Sequence, residues 1–212
     1  MYIDIAASVL AVFALLMVSE YGWRKGWFQG EFGRKFVHIS VGSFVSFWPF
    51  FRSWNEIRLL SLAFLIVVVA SDQLKVFKAI HSVQRPTFGE ICFALVVGLL
   101  TFVTHSKGMY AAALLQMSLA DGFAAIIGVK FGRNNTYHVF SHAKSVIGTT
   151  TFIVVSFAIL LGYAAWSVHS LPMGYTVFGA LAAAVFENIA PLGLDNLFVP
   201  LFIGLLLANQ RY

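Results

Sequence analysis

Apolar residues form long runs along this 212-residue chain, and polar residues are confined to the short segments between them. A run of about 20 apolar residues is long enough for a helix to cross the hydrocarbon core of a bilayer. Eight such runs are present, of which the second and the last are short, so the pattern predicts seven or eight transmembrane helices. The runs cover residues 3–22, 36–52, 57–74, 88–104, 108–130, 145–166, 172–190 and 195–209.

The composition supports this interpretation. The chain is 59% hydrophobic and 11% charged, and its mean hydropathy is +0.83, which is typical of integral membrane proteins. The sequence contains no internal repeat and no composition shift that would mark a linker. It therefore predicts one polytopic all-α domain, an integral membrane helical bundle that covers residues 1–212.

Basic residues concentrate in alternate loops. If all eight helices form, ten of the 14 lysines and arginines lie in the loops after the first, third, fifth and seventh helices. The positive-inside rule assigns these loops to the cytoplasm. We therefore expect a protein of the cytoplasmic membrane whose cytoplasmic surface suits anionic ligands such as phosphates.

Asp121 is the most informative residue, because it lies inside the fifth apolar run. Acids at membrane depth are costly and commonly have a function. On a regular helix Asp121 shares one face with small residues that include Gly128 and Gly132. That face admits a bulky polar ligand, such as a phosphate chain with a divalent cation. The alternative is close helix packing, with the acid paired to a neighbouring helix.

Two polar clusters precede Asp121 on the same predicted side of the membrane. In the first, helical spacing places Glu31, Arg34, Lys35 and His38 on one face, which suits phosphate binding beside a titrating imidazole. The alternative is that Arg34 and Lys35 are topology anchors paired with Glu31. The second cluster, residues 85–90, has the T-x-x-E spacing of a helix capping box at Thr87 and Glu90. Capping explains Thr87 without a ligand, while Arg85 and Glu90 stay possible site residues.

Two more clusters follow. Lys144 and Ser145 open a predicted helix, and a lysine beside free helical amides suits an anionic ligand. Glu187, Asp195 and Asn196 flank a helix break near the last apolar run, and acids opposite lysines and arginines bind cations such as Mg²⁺. The alternative is that Asp195 caps the final helix and Glu187 neutralises a buried arginine.

In order and spacing, these motifs resemble those of the CTP-dependent polyprenol, phytol and diacylglycerol kinases, a dolichol kinase-like family related to the phosphatidate cytidylyltransferases. The sequences DGFA at 121–124 and LDNLFVPL at 194–201 are most similar to those of the phytol and farnesol kinase branch. The resemblance covers most of the chain and rests on RKFVHISVG at 34–42, D-x-x-A-x-x-x-G-x-x-x-G at 121–132, Lys144-Ser145 with Gly148, and ENIAPLGLDNLFVPL at 187–201.

The resemblance implies a kinase that transfers the γ-phosphoryl group of CTP to the hydroxyl of a membrane lipid alcohol: phytol, farnesol, a polyprenol or diacylglycerol. No nucleic acid partner is expected. Asp121, His38 and Lys144 are the implied catalytic residues, with His38 or Asp121 taking the alcohol proton. Mg²⁺ or another divalent cation is assigned to Asp121, Glu187 and Asp195. The implied CTP-binding residues are Arg34, Lys35, Gly128, Gly132, Ser145, Gly148 and Asn196.

Three alternatives remain at this point. A cytidylyltransferase would form a CDP-lipid, but Ile147 stands where those enzymes and the dolichol kinases typically carry glutamate before the glycine. A transporter would use Asp121 as an intramembrane carboxylate. A structural lipid-binding subunit would need neither Asp121 nor Lys144 for its function.

Overall fold

The computed structural model describes residues 2–27, 30–74, 88–104, 106–140, 142–167 and 171–210, without the side chains of 2–4 and 71–74. Within these ranges the helices form eight long segments, the fifth of which is continuous through a π-helical turn at Gln116–Asp121. The helices are α1 (Tyr2–Arg24), α2 (Gly30–Ser46), α3 (Trp54–Leu74), α4 (Gly89–Val103), α5 (Lys107–Leu115), α6 (Gly122–Phe131), α7 (Val146–Trp166), α8 (Met173–Ile189) and α9 (Asp195–Ala208), with a 3₁₀ turn at Trp48–Phe50.

Each predicted apolar run coincides with a helix, and the predicted all-α membrane bundle is confirmed. Among the described residues, three helices are long and apolar enough to cross a membrane: Ile5–Arg24, Lys107–Phe131 and Val146–Trp166. Shorter apolar helices, of 10 to 17 residues, cover Gly89–Val103, Met173–Ile189 and Asp195–Ala208.

The continuous α5–α6 segment lies at the centre of the bundle, where it packs against α2, α7 and α9. Its Tyr110 and Leu114 are fully buried, as is Phe152 of α7. Large apolar side chains also cover the outside of the bundle, including Ile66 and Phe102. An apolar exterior of this kind is typical of a surface that contacts lipid.

A β-hairpin occupies the segment between α6 and α7, which the apolar pattern treats as a loop. Strands β1 (Thr136–Val139) and β2 (His142–Ser145) pair antiparallel, and Tyr137 lies opposite Lys144 in the register. Phe140, in the turn, has a φ of 52°. Since β2 leads directly into α7, the hairpin fixes Lys144 at the end of the bundle where α7 begins.

Candidate active site

Asp121 is neutralised by a lysine from another helix. It directly precedes α6, and its carboxylate accepts a hydrogen bond from the ammonium of Lys35 on α2. Both residues are buried, with exposed fractions of 5% and 3%. An unpaired charge at such a position would be strongly destabilising, so the pair explains how the acid is accommodated. Lys35 is therefore not a partner of Glu31, which is instead paired with Arg34.

A second, partly buried ion pair lies beside the first. Lys144 on β2 donates to the carboxylate of Glu187 in the last turn of α8, and also to the backbone oxygen of Glu187 at 3.1 Å. Burial lowers the pKa of Lys144, but the Glu187 carboxylate outweighs burial and the pKa rises above its ordinary value. The partner of the buried Glu187 is thus a lysine, whereas one sequence interpretation expected a buried arginine.

The two ion pairs and Asp195 bring three carboxylates together. One oxygen from each of Asp121, Glu187 and Asp195 lies within 4.8 Å of the others. Asp195 is the first residue of α9, and the N-cap position is Leu194, which corrects the interpretation that Asp195 caps this helix. No ion pair joins Asp195 to any other described residue, although it interacts electrostatically with Asp121 and both lysines.

The turn between α8 and α9 explains how Glu187 and Asp195 approach each other. Leu192 and Gly193 adopt left-handed backbone conformations, with φ of 57° and 85°, and they reverse the chain within a few residues. The carbonyl of Leu192 accepts a hydrogen bond of 2.8 Å from the backbone amide of Phe88, which precedes α4. This contact anchors the turn at the same end of the bundle as Asp121.

The donor atoms of the carboxylate cluster, defined as Asp121, Glu187 and Asp195, suit a hard divalent cation. Mg²⁺ binds oxygen ligands at about 2.0 to 2.1 Å, so two ligands of one ion lie at most about 4.2 Å apart. The oxygens in the cluster are within 4.8 Å of one another, and a small closure brings them into that range. Because Asp121 and Glu187 are paired with lysines, a cation would compete with two ammonium groups for these oxygens.

Arg34 lies at the edge of the cluster. Its guanidinium is paired with Glu31 one turn earlier on α2 and is only partly buried. It also interacts electrostatically with Asp121 and with Glu90 in the first turn of α4. Arg85 and Thr87 of the cluster at residues 85–90 lie outside the described residues.

His38 lies beside Asp121, and Asn196 lies beside His38. The Nε2 atom of His38 is 3.7 Å from Oδ2 of Asp121, and its ring packs against that of Phe93 at a centroid distance of 5.4 Å. The carboxamide nitrogen of Asn196 donates to the backbone oxygen of Gly89 at 3.0 Å. The structure therefore brings the predicted residues Lys35 and His38 to the Asp121 carboxylate, with Asn196 next to His38.

Four small residues that the resemblance assigns to CTP binding form a packing junction between α6 and α7: Gly128, Gly132, Ser145 and Gly148. The hydroxyl of Ser145 accepts a hydrogen bond of 3.0 Å from the amide of Gly148 and so caps α7. A Cβ atom built on Gly128 would lie 2.9 Å from this hydroxyl, and one built on Gly132 would overlap with it. These glycines allow the close approach of two backbone segments, and their role in nucleotide binding stays a prediction.

One polar network near the cluster was not anticipated from the sequence. The hydroxyl of Tyr137 on β1 donates to the side chain of Asn188, next to Glu187, and contacts the hydroxyl of Thr149 on α7. The network ties the hairpin to the ends of two helices and thereby fixes Lys144. The sequence gives little sign of this network. Nothing in the apolar pattern indicates the hairpin, and Asn188 stands out only because it follows Glu187.

Comparison with known proteins gives three relatives. Phytol kinase from Synechocystis sp. is 31% identical over 207 residues, which cover 94% of this chain and 87% of that protein. "Probable phytol kinase 2, chloroplastic" from Oryza sativa subsp. japonica is 27% identical over 89% of this chain and 69% of its own length. "Probable phytol kinase, chloroplastic" from Triticum aestivum is 28% identical over 82% of this chain and 65% of its own length.

No protein-family model and no solved structure matches the chain. The relatives agree with the branch that the motifs at 121–124 and 194–201 resemble. Because the Synechocystis protein is similar along nearly the whole sequence, this chain belongs to the phytol kinase family.

Proposed function

We propose that this lipid-alcohol kinase transfers the γ-phosphoryl group of CTP to the hydroxyl of phytol or a related isoprenoid alcohol, at the cytoplasmic face of a membrane. The observation that carries the proposal is the cluster of three carboxylates beside two lysines, one buried and one partly exposed, at one end of an apolar bundle. The names of the relatives support the acceptor, and the motif resemblance supports CTP.

The carboxylate cluster is the proposed site for Mg²⁺ or another divalent cation. A bound cation would draw negative charge from the phosphate oxygens and so ease the departure of CDP. Asp195 is free of an ion pair with the described residues and offers its oxygens directly. Asp121 and Glu187 contribute once their lysines turn toward another anion.

Lys35 and Lys144 are the proposed partners of the triphosphate. Each is a buried or half-buried ammonium beside the cluster, where the low dielectric strengthens its attraction to a phosphate. Arg34 is the third proposed contact, because it lies at the partly exposed edge. A guanidinium suits a phosphate better than an ammonium does, since it donates two parallel hydrogen bonds.

The proposed reaction breaks two bonds and forms two. The alcohol oxygen forms a bond to the γ-phosphorus while the bond from that phosphorus to the bridging oxygen breaks, and its electron pair leaves with CDP. The hydroxyl proton passes to His38 or Asp121, whose reacting atoms lie 3.7 Å apart. Phosphoryl transfer depends chiefly on position and charge, and this site supplies both.

A panel of substrates tests the proposal. Purified protein in lipid nanodiscs is incubated with γ-labelled CTP, ATP, GTP or UTP and with phytol, farnesol, a long polyprenol or diacylglycerol. We expect label in the lipid fraction with CTP and the isoprenoid alcohols. Transfer from ATP alone would contradict the donor, and transfer to diacylglycerol alone would contradict the acceptor.

A further inference from the structure

A groove lies between the start of α2 and the end of α6, on the side of the bundle that the basic loops assign to the cytoplasm. It encloses about 380 Å³, within the range of about 300 to 1,000 Å³ that is typical of small-ligand sites. Four of its lining residues are apolar and two are charged: Trp27, Glu31, Phe32, Ile126, Val129 and Lys130.

Trp27 forms one wall of the groove and is fixed by the end of α1. Gly26 has a φ of 78°, and the backbone amide of Trp27 donates to the carbonyl of Gly22 at 2.9 Å. Helices commonly end in this way, with a glycine in the left-handed conformation. The indole ring also packs edge-on against Tyr21, at a centroid distance of 6.0 Å. The aromatic wall is therefore in place before a ligand arrives.

Glu31 connects the groove to the carboxylate cluster through Arg34. Its carboxylate lines the groove and pairs with Arg34, which interacts electrostatically with Asp121. On α6, the groove residues Ile126 and Val129 follow Asp121 by about 8 and 12 Å, at a helical rise of about 1.5 Å per residue. They follow it toward the cytoplasm, because the loop after this helix is one of the basic loops.

The direction of the groove indicates a nucleotide rather than a lipid chain. A lipid alcohol whose hydroxyl reaches Asp121 extends its hydrocarbon chain toward the bilayer centre, away from the groove. A nucleotide whose γ-phosphate lies at the cluster extends its sugar and base toward the cytoplasm. A base has apolar faces that stack on aromatic rings and a polar edge that forms hydrogen bonds. Trp27 and Phe32 supply the rings, and Glu31 supplies a hydrogen-bond acceptor.

We infer that this groove binds the base of the donor nucleotide, and this inference rests on the proposed function. Arg34 donates to both carboxylate oxygens of Glu31, which leaves a second acceptor position on each oxygen. Glu31 accepts there from the amino group of the base. Cytosine and adenine carry an amino group at this edge, whereas uracil and guanine carry a carbonyl oxygen that a carboxylate repels. The ammonium of Lys130 lies over the ring of Phe131, 5.2 Å from its centroid, and we assign it no contact with the base.

The first test separates the base from the phosphates. Binding of CTP and of inorganic tripolyphosphate, which has no base, is measured with Mg²⁺ in nanodiscs for the wild type and for Trp27→Ala. We expect Trp27→Ala to weaken CTP binding about fivefold or more, through the loss of one stacked ring, and to leave tripolyphosphate binding unchanged. Trp166→Ala is the matched control and should change neither affinity. Trp166 is as exposed as Trp27, at 64% against 66%, but it lies at the far end of α7.

The second test measures selection of the base. The ratio of kcat/KM for CTP to that for UTP is compared between the wild type and Glu31→Gln. We expect this ratio to fall about fivefold or more, because a carboxamide donates to the uracil oxygen as well as it accepts from the cytosine amino group. Any effect on the triphosphate through Arg34 is common to both nucleotides and cancels in the ratio. Glu20→Gln, at another acid paired with an arginine on the same helix, is the control and should leave the ratio unchanged.

The results also distinguish this inference from the proposed function. Unchanged CTP binding by folded Trp27→Ala, an equal loss of tripolyphosphate binding, or an unchanged ratio in Glu31→Gln would overturn the inference. Weaker phytol binding in Trp27→Ala with unchanged CTP binding would overturn it as well and assign the groove to the lipid. If the wild type transfers phosphate from ATP and not from CTP, and Trp27→Ala weakens the binding of ATP but not of tripolyphosphate, the inference holds and the proposed donor fails.

Discussion

Lys35 and Asp121 form a buried ion pair that joins α2 to the central helix, 86 residues further along the chain. The pair has two separable consequences. Each charge neutralises the other where no water is available, so the loss of one partner alone would destabilise the bundle. The pair also holds the carboxylate beside Glu187 and Asp195. A double variant that removes both charges and keeps the stability therefore tests whether the pair is needed for turnover as well as for folding.

Asp121→Asn should reduce turnover at least a hundredfold and also destabilise the protein. The amide is a poorer metal ligand, and it leaves Lys35 as an unpaired buried charge, at a cost of about 3 to 5 kcal/mol. The double variant Asp121→Asn/Lys35→Met should recover much of the thermal stability in detergent and none of the activity. Recovery of activity in the double variant would show that the carboxylate has only a structural role.

Asp195→Asn should change metal dependence without a loss of stability. Asp195 has no ion-pair partner among the described residues, so its neutralisation leaves no lysine unpaired. We expect the Mg²⁺ concentration for half-maximal activity to rise about tenfold or more, with the melting temperature unchanged. Glu56→Gln, at a partly exposed acid in the first turn of α3, is the control and should leave the Mg²⁺ dependence unchanged.

Lys144→Met should weaken CTP use far more than Lys130→Met. Both residues belong to the basic side of the protein, but only Lys144 reaches the carboxylate cluster, whereas Lys130 lies on the surface at the end of α6. We expect kcat/KM for CTP to fall by about a hundredfold in Lys144→Met and by less than about threefold in Lys130→Met. Equal effects would mean that general surface charge, and not a specific contact, attracts the nucleotide.

Gly132→Ala should destabilise the junction between α6 and α7. A Cβ atom at this position would overlap with Ser145, which caps α7 and adjoins Lys144, and relief of such overpacking costs about 1 to 3 kcal/mol. The melting temperature and the turnover rate should both fall. Gly162→Ala is the control. A Cβ atom built on Gly162, also in α7, has no other atom within 4 Å, so this substitution should be neutral or stabilising.

The local sequence pattern is sufficient to predict the helices and to predict which end of the bundle carries the site. The apolar runs predict each helix because a membrane segment must satisfy its own backbone hydrogen bonds. Charge placement puts Asp121, Glu187 and Asp195 on one side, and the structure brings their oxygens together. Their assignment to a metal still depends on the experiments above.

The local sequence pattern does not predict which side chains form ion pairs with each other. Helical spacing offers Lys35 a neighbour such as Glu31, but its partner is Asp121 on another helix, and periodicity carries no information about such distant contacts. The hairpin was missed because its strands have four residues each, too few for a visible alternation. Similarly, no residue type marks the π-helical turn at Gln116–Asp121.

The central claim is tested most directly with CTP that carries one label on the γ-phosphate and another in the cytidine ring. Purified protein is incubated with this CTP, Mg²⁺ and phytol, and the lipid product is isolated. We predict that the γ-label enters a lipid monophosphate, in amounts equal to the CDP released, while the ring label stays in the aqueous phase. Ring label in the lipid, with release of pyrophosphate, would contradict the kinase assignment and identify cytidylyl transfer instead.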